Sequence, residues 1–408
     1  MSSKRWGSAE MATIAGVSAD ERKAAIKFIV CLGAVSLFAD MTYEGAYSIM
    51  GGFLKDLGAT ATEVGIIAGV GEMIAASLRY FSGKLADKTR AYWTLALAGY
   101  AMNLLVVPAL AFVGTWQAAA FLIIAERTGK ALRGPARDVL LSDATEKVGH
   151  GWGFGLHAAM DQTGAVAGPV LMAVTVARLH NFAPAFLRLA VPALLAFVAM
   201  LAARVAYPDN KGRPPKGKDT KVLPRVYWIY VAAAGMLALG FLDFPLLSYH
   251  FENTGVVTKA VIPLLYALAM GVNGLTALIF GRLFDKYGIV VLAWGILISM
   301  LSVPLGFLGG AAAATVGVCC WALGLGVQDA SLRSGIAQLV SMNKRGNAFG
   351  TFNAVYGIMW FAGSATMGLL YDHQIGALVA FGLTAQLIAA GMFFWLKKPL
   401  GEAIAANK

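Results

Sequence analysis

Hydrophobic residues along this chain do not alternate with polar ones; they come in long blocks. Apolar runs occupy about residues 25–50, 62–83, 92–113, 117–140, 151–177, 183–205, 226–250, 260–281, 289–309, 311–339, 347–371 and 376–396. Each is close to the roughly 20 residues an α-helix needs to cross the hydrocarbon core of a bilayer. Helix is the open-ended form that satisfies every backbone group in lipid. A β-barrel would alternate over about ten residues per strand, and a run such as VVLAWGILISMLSVPLGFL does not. The pattern predicts an all-α membrane protein with twelve transmembrane helices.

Composition agrees. Of the 408 residues, 58% are hydrophobic and 13% charged, with mean hydropathy +0.68. Soluble domains carry about 45–50% apolar and about 25% charged residues, so an ordinary soluble enzyme, a disordered chain and a disulfide scaffold are excluded. Cys31, Cys319 and Cys320 all sit inside apolar runs and read as small hydrophobes, not as a disulfide set or a zinc site. Residues 1–24 are polar, and no cleavage site follows them.

The net charge of +11 changes the picture only through its placement. One set of loops holds Lys4, Arg5, Arg22, Lys23, Lys84, Lys88, Arg90, Lys147, the 204–225 segment, Arg282, Lys286, Lys344, Arg345, Lys397, Lys398 and Lys408. The alternate loops hold only Lys55, Arg178, Arg188 and Lys259. The positive-inside rule then puts both termini in the cytoplasm. Basic residues spread over alternate loops form no continuous stripe, so nucleic acid is not an expected partner; the lipid bilayer is.

The longest connection, YPDNKGRPPKGKDTKVLP at 207–224, is polar and rich in Pro and Gly, as a flexible linker is. It divides a six-helix half at 25–206 from another at 225–397, with tails at 1–24 and 398–408. The halves repeat. Gly151, Phe154, Gly155, Ala159, Ala167, Gly168 and Met172 recur without gaps as Gly346, Phe349, Gly350, Ala354, Ala362, Gly363 and Met367. Gly83 and Asp87 match Gly281 and Asp285, and Phe38 and Asp40 match Phe241 and Asp243. Each pair falls on the same helix of its half. Duplicated halves are a transporter architecture, with the substrate handled between them near the bilayer midplane.

At these residues the chain resembles the major facilitator superfamily. The loop after helix 2, with Gly83, Asp87, Lys88 and Arg90, looks like that family's cytoplasmic signature. Gly281, Arg282, Asp285 and Lys286 look like its second copy. The resemblance implies that these loops latch the outward-open state. Thr89-Arg90 departs from the usual glycine and two basic residues. In helix 5, Gly155, Gly164 and Gly168-Pro169 are similar to the signature of the family's drug-exporting antiporters, although Met172 and Ala173 replace two expected glycines. Read physically, the three glycines let backbones approach closely and Pro169 permits a bend. Helix 4 resembles the family's arginine motif at Arg127, with Lys130, Arg133 and Arg137 in place of later glycines. The resemblance also implies two pseudo-symmetric six-helix bundles, a monomer and a bacterial inner-membrane location.

An ionisable group at the bilayer centre costs about 2.5–3.5 kcal/mol on insertion scales, so each asks for a reason. Asp40 and Glu44 are four apart on helix 1; two close carboxylates in low dielectric do not both ionise easily, and one would carry a proton. His157 and Asp161 repeat the spacing on helix 5, which suits a proton relay. Asp243, before Pro245, is the second-half counterpart of Asp40. These five are the candidate proton-coupling residues; salt bridging or packing is the alternative for each.

Glu126, Lys130, Arg133 and Arg137 share a face of helix 4, with Arg127 beside it. Arg79 and Arg333 add positive charge. Arg79, Arg127, Lys130 and Arg333 are the candidate sites for an anionic or zwitterionic substrate, unless Asp40, Glu44, Asp138, Asp161 and Asp329 neutralise them. Tyr43, Tyr47, Tyr249, Tyr356 and Trp360 could supply an aromatic wall for an amphipathic molecule, or simply pack.

No hydrolase constellation, phosphate loop, haem motif or metal-ligand spacing appears, so no cofactor, metal or enzymatic activity is expected. The favoured expectation is a proton-coupled exporter working by alternating access. An importing symporter or uniporter is the near alternative; a non-transporting receptor or scaffold is the distant one, and it leaves the duplication unexplained.

Overall fold

The computed structural model describes residues 18–207, 223–340 and 345–406. Most of the N-terminal tail, most of the central connection and Lys344 lie outside the described residues. The first half contains α1 (Ala19–Asp56), α2 (Ala61–Thr89), α3 (Tyr92–Ala109), α4 (Trp116–Thr145), α5 (His150–Leu179) and α6 (Ala190–Ala206). The second contains α7 (Arg225–Gly240), α8 (Phe244–Thr254), α9 (Val261–Tyr287), α10 (Val290–Ser299), α11 (Ser302–Leu308), α12 (Ala311–Leu339), α13 (Arg345–His373) and α14 (Ile375–Ala406). Helices α7 and α8 together make one crossing, as do α10 and α11. The two bundles thus supply twelve crossings. Among the described residues, eleven are long and apolar enough to span a membrane on composition alone. The twelfth is α4, whose middle is crowded by Glu126, Arg127, Lys130 and Arg133.

Helix starts follow from local chemistry. Ser18 and Glu21 cap α1 reciprocally, at 3.2 and 3.0 Å, and Thr60 and Glu63 cap α2 the same way, at 3.2 and 2.6 Å. Each such cap stabilises a helix by about 1 kcal/mol. Helix ends show the duplication. Helix α2 stops at Arg90 with φ 54° and α9 stops at Gly288 with φ 67°. Arg90 follows Gly83 by the same interval as Gly288 follows Gly281. The two ends differ in ψ, 19° at Arg90 and −150° at Gly288: Arg90 takes the left-handed helical conformation at a cost of about 1–2 kcal/mol, while Gly288 takes one that glycine alone adopts easily.

The seventh crossing is not the single kinked helix that its apolar run suggests. It unwinds over 241–243 and restarts with Pro245 in its first turn, because proline has no N–H to continue a helical ladder. The freed carbonyls are buried and find side-chain donors: Trp321 Nε1 donates to Leu242 at 2.6 Å, and Gln386 Nε2 donates to Gly240 at 2.9 Å. Non-helical backbone at membrane depth survives only when protein satisfies it in this way.

Glycines set the closest helix crossings. A Cβ on Gly164 would strike the Leu37 carbonyl, and one on Gly168 the Met41 carbonyl, so α1 and α5 touch backbone to backbone. Gly363, the repeat of Gly168, meets the Leu239 carbonyl in the second half. Gly155 is different: nothing lies within 4 Å of where its Cβ would be. The close approach expected there does not occur, because Gly155 lies on the face of α5 that opens onto a hollow between α5 and α9.

The two halves meet firmly at one end. Gly52 N donates to Ser248 Oγ at 3.2 Å, and Lys55 Nζ donates to the Glu252 carbonyl at 3.2 Å. Lys259 pairs with Asp56 and with Glu252, each at 3.0 Å. The Asp372 carboxylate accepts from Ala61 N (3.2 Å), Thr62 N (2.8 Å) and Thr62 Oγ1 (2.6 Å), so the second half caps a helix of the first. The opposite end carries Lys84, Lys88, Arg90, Arg282 and Lys286, and is called the basic end below. There Asp138, Asp329 and Arg333 are exposed between the halves. The molecule is sealed at one end and open at the basic end.

Candidate functional site

Each carboxylate on α1 finds a different partner. Glu44 turns to Lys130 Nζ at 3.6 Å and accepts the Tyr266 hydroxyl at 2.5 Å. Tyr266 belongs to α9, so Glu44 is held from both halves. Asp40 is 3% exposed and meets the carboxyl of Asp161 on α5 instead of Glu44. The proton-sharing pair on one helix that the spacing suggests is replaced by a pair between two helices.

His157 is also re-paired. Its Nε2 lies 2.9 Å from Ser36 Oγ rather than on Asp161. Arg137 Nη1 donates to the same hydroxyl at 3.5 Å and binds Asp138 through Nε (3.0 Å) and Nη2 (2.9 Å). The arrangement is a chain of polar groups, from Asp138 through Arg137 and Ser36 to His157, running from the exposed basic end into the first half.

Arg127 is 5% exposed and fully engaged. Its Nη1 is 3.5 Å from Glu72, its Nε 3.4 Å from Glu126, and its guanidinium lies 4.6 Å from the Tyr47 ring centre. Asn103 Nδ2 donates to Glu126 at 2.6 Å. Lys130 sits 3.9 Å over Tyr43. Arg133, 2% exposed, is flanked by Tyr43 (5.3 Å) and Tyr100 (4.4 Å), with no hydrogen-bond partner for Nε or Nη1. Such ring contacts contribute about 0.5–2 kcal/mol each.

The second half mirrors this arrangement. Asp243 stands at the unwound segment, buried, and accepts Trp360 Nε1 at 2.8 Å and the Ser364 hydroxyl. In both halves, therefore, an aspartate on the first crossing faces the fifth crossing. Tyr356 donates to Gln328 at 2.6 Å, and Asn273 Nδ2 to Asp329 at 3.3 Å.

Between the halves lies a cavity of about 220 Å³, lined by Glu72, Arg79, Asp329, Arg333, Tyr356 and Trp360 among others. Arg79 comes from the first half and Arg333 from the second. Neither forms an ion pair among the described residues, and Arg79 Nε is buried without a hydrogen-bond partner. Arg127 stands behind Glu72 and does not line this space; neither do Lys130, Tyr43 and Tyr47. Tyr249 is farther away, edge-on to Tyr371 with ring centres 5.6 Å apart at the sealed end.

The signature loops lie at the basic end. A Cβ on Gly83 would lie 3.6 Å from Pro135 of α4, and Asp87 accepts the Tyr92 hydroxyl at 3.4 Å. Lys88, Arg90 and Asp285 are exposed, a Cβ on Gly281 would come no closer than 4.0 Å to Ala330, and no ion pair joins these loops to the opposite half among the described residues. Pro169 lies within α5 beside the Gly168 crossing.

Sequence reasoning passed over Glu72, Ser36, Asn103 and Tyr266. Glu72 was the legible one: Glu63 sits at the start of the 62–83 apolar run, but Glu72 lies in its middle and needs a cation, and Arg127 is that cation. The others are small or aromatic residues whose roles depend on which helix faces them.

The sequence profile of the Major Facilitator Superfamily matches residues 31–364. The chain belongs to the major facilitator superfamily. It is 40% identical over 383 residues to an uncharacterized protein of Mycobacterium tuberculosis, covering 91% of this chain and 93% of that one. It is 25% identical over 397 residues to an uncharacterized MFS-type transporter of Methanocaldococcus jannaschii, covering 91% and 95%. Solved structures share the fold at low identity. A peptide transporter in complex with sulfate superposes with TM-score 0.71 at 13% identity, covering 95% of this chain and 99% of that one. A nucleoside transporter gives 0.68 at 13% identity, covering 92% and 99%. An inward-facing, unoccupied bacterial homologue of the human lysosomal transporter Spinster gives 0.68 at 9%, covering 95% and 99%. The protein is a multi-pass membrane transporter of this superfamily, with small molecules as its substrates.

Proposed function

We propose that this superfamily transporter is a proton-coupled antiporter that exports a small amphipathic, anionic or zwitterionic molecule across a bacterial inner membrane, as a monomer with both termini in the cytoplasm. The observation that carries the reading is the pair Arg79 and Arg333: two guanidinium groups, one from each half, on the wall of one cavity, with no ion pair of their own. An anionic group seated between them binds both halves at once. That supplies the differential contact by which a ligand favours one orientation over another.

The proton side of the cycle rests on Asp40 and Asp161, with Glu44, Asp243 and His157 as further buried groups that exchange protons when the cavity admits water. Deprotonating the Asp40–Asp161 pair puts two like charges in low dielectric where α1 crosses α5 inside the first half, which loosens that crossing and the packing that rests on it. The export direction rests on the α5 glycines, Gly155, Gly164 and Gly168, before Pro169. The cytoplasmic placement of the basic end rests on the Lys and Arg bias. Gly83, Asp87, Lys88, Arg90, Gly281 and Asp285 would then close that end in the alternate state.

The test is flux of radiolabelled organic anions in proteoliposomes under an imposed pH gradient. Uptake into inside-acid vesicles should be gradient-dependent and should fall about tenfold or more in Arg79→Gln and Arg333→Gln. Gradient-independent flux that survives Asp40→Asn and Asp161→Asn would overturn the coupling.

A further inference from the structure

A second hollow, of about 920 Å³, lies between α5 and α9. Its walls are Gly155, Ala158 and Ala159 on one side and Gly274, Leu275 and Leu278 on the other. Leu275 is 64% exposed and Leu278 65%, as expected of side chains that face acyl chains. Ala158 is about 12 Å along α5 from its start and Leu278 about 13 Å from the end of α9, at 1.5 Å per residue. An opening at that depth faces hydrocarbon, not water. Gln162 bridges the two walls, its Nε2 donating to the Met270 carbonyl at 2.5 Å, and the α5 wall continues beyond it to Val170.

The inner end of this hollow is Asp329, which also lines the cavity that holds Arg79 and Arg333. The two spaces therefore adjoin at one residue. Their chemistry is that of an amphiphile: apolar at the lipid side, charged within. Glu72 is taken up by Arg127, which leaves Arg79 and Arg333 against Asp329, one net positive charge. The small residues of α5 leave the gap that larger side chains would fill.

We infer that the α5–α9 hollow is a lateral portal through which a single-chain monoanionic amphiphile enters from the bilayer, its charged head reaching Arg79 and Arg333 while its chain stays in the portal. The inference rests on the anion reading above and gives that substrate its class and its route. Each methylene seated in the portal rather than in water contributes about 0.8 kcal/mol, but the surrounding lipid offers the same. Selection therefore comes from the head, and the portal supplies access.

The full-length chain in phosphatidylcholine vesicles tests this with two photolabels: hexadecanoate bearing a diazirine in its chain, and a water-soluble diazirine benzoate with the same charge and no chain. Hexadecanoate should label residues 158–170 and 271–278, compete with unlabelled hexadecanoate, and fall about tenfold in Arg79→Gln. Ala159 is exposed, so Ala159→Cys permits a bulky maleimide to be attached after folding, with equally treated wild-type protein controlling for the native cysteines. The plug should cut hexadecanoate labelling about tenfold and leave Arg79-dependent benzoate labelling of the cavity within about twofold. Labelling that spreads along all lipid-facing helices without competition, or that the plug does not change, overturns the portal while benzoate labelling keeps the anion site. Benzoate labelling that ignores both arginines overturns the anion reading and the portal with it.

Discussion

The carboxyl groups of Asp40 on α1 and Asp161 on α5 are neighbours, and the Oδ1 of each is buried with no hydrogen-bond partner among the described residues. Two carboxylates cannot hold this position ionised together in a buried site; a proton between them makes the contact attractive. Under the proposed coupling, the pair holds one proton where α1 and α5 cross.

The first prediction is that infrared spectra of the reconstituted protein at neutral pH contain a protonated carboxyl C=O stretch that both Asp40→Asn and Asp161→Asn diminish. Because one proton is shared, the two single variants and the double variant should each remove the same intensity. A band untouched by either substitution would place the proton elsewhere.

The second prediction separates two classes of arginine. Arg127 is neutralised by Glu72 and Glu126 in a buried site, and breaking a buried pair costs about 3–5 kcal/mol. Arg127→Ala should sharply lower the melting temperature in detergent. Glu72→Gln should share part of that loss, since it strips one of the same pairs. Arg333→Ala, at an exposed cavity wall with no ion pair, should melt within about 0.5 kcal/mol of wild type and still lose anion binding.

Much of this was readable in the chain, and the limits have physical causes. The helices were legible because lipid leaves the backbone no other open-ended form, and Gly83 and Asp87 could be aligned with Gly281 and Asp285 because both copies keep the same spacing. Arg79 and Arg333 were legible as costly charges. What the sequence could not show was partner choice. Spacing on one helix paired Asp40 with Glu44 and His157 with Asp161. Tertiary packing instead brought Asp161 to Asp40, Ser36 to His157, and Lys130 and Tyr266 to Glu44. Tyr249 shows the same limit: helical position told its face but not its depth, and it lies with Tyr371 at the sealed end. The unwound 241–243 segment needed Trp321 and Gln386, which are remote in the chain and carry no local signal.

The third prediction concerns the α5 glycines. Gly164→Ala and Gly168→Ala each drive a methyl into a backbone carbonyl of α1, which cannot retreat without moving the helix. Overpacking of this kind costs about 1–3 kcal/mol. Gly155→Ala meets nothing within 4 Å and gains up to about 1 kcal/mol of helix propensity. Thermal melting in detergent should therefore fall for the first two and hold or rise for the third. Equal losses at all three positions would mean that α5 is packed as closely at Gly155 as at Gly168.

The last prediction is a pH dependence at the sealed end. Lys259 lies in the loop between α8 and α9 and joins the halves through Asp56 and Glu252. Burial pulls its ammonium toward neutrality, but the hydrogen bonds it donates to both carboxylates outweigh this and hold the group above its ordinary value of 10.5. A cation held up in this way stabilises the closed end fully below the ordinary lysine range, and the contribution is lost as pH rises through the higher value. Partly exposed pairs are screened, so about 1 kcal/mol is at stake, roughly a fivefold change in the closed-to-open ratio. Spin labels at Gly114 and Gly310, where a side chain meets nothing within 4 Å, report the separation of the halves at this end. The short-distance population should persist to about pH 10 and decline above it, and raised salt should weaken it at every pH. Lys259→Gln should show the reduced population already at neutral pH, with the alkaline decline gone. A decline that survives in Lys259→Gln would assign the transition to another group.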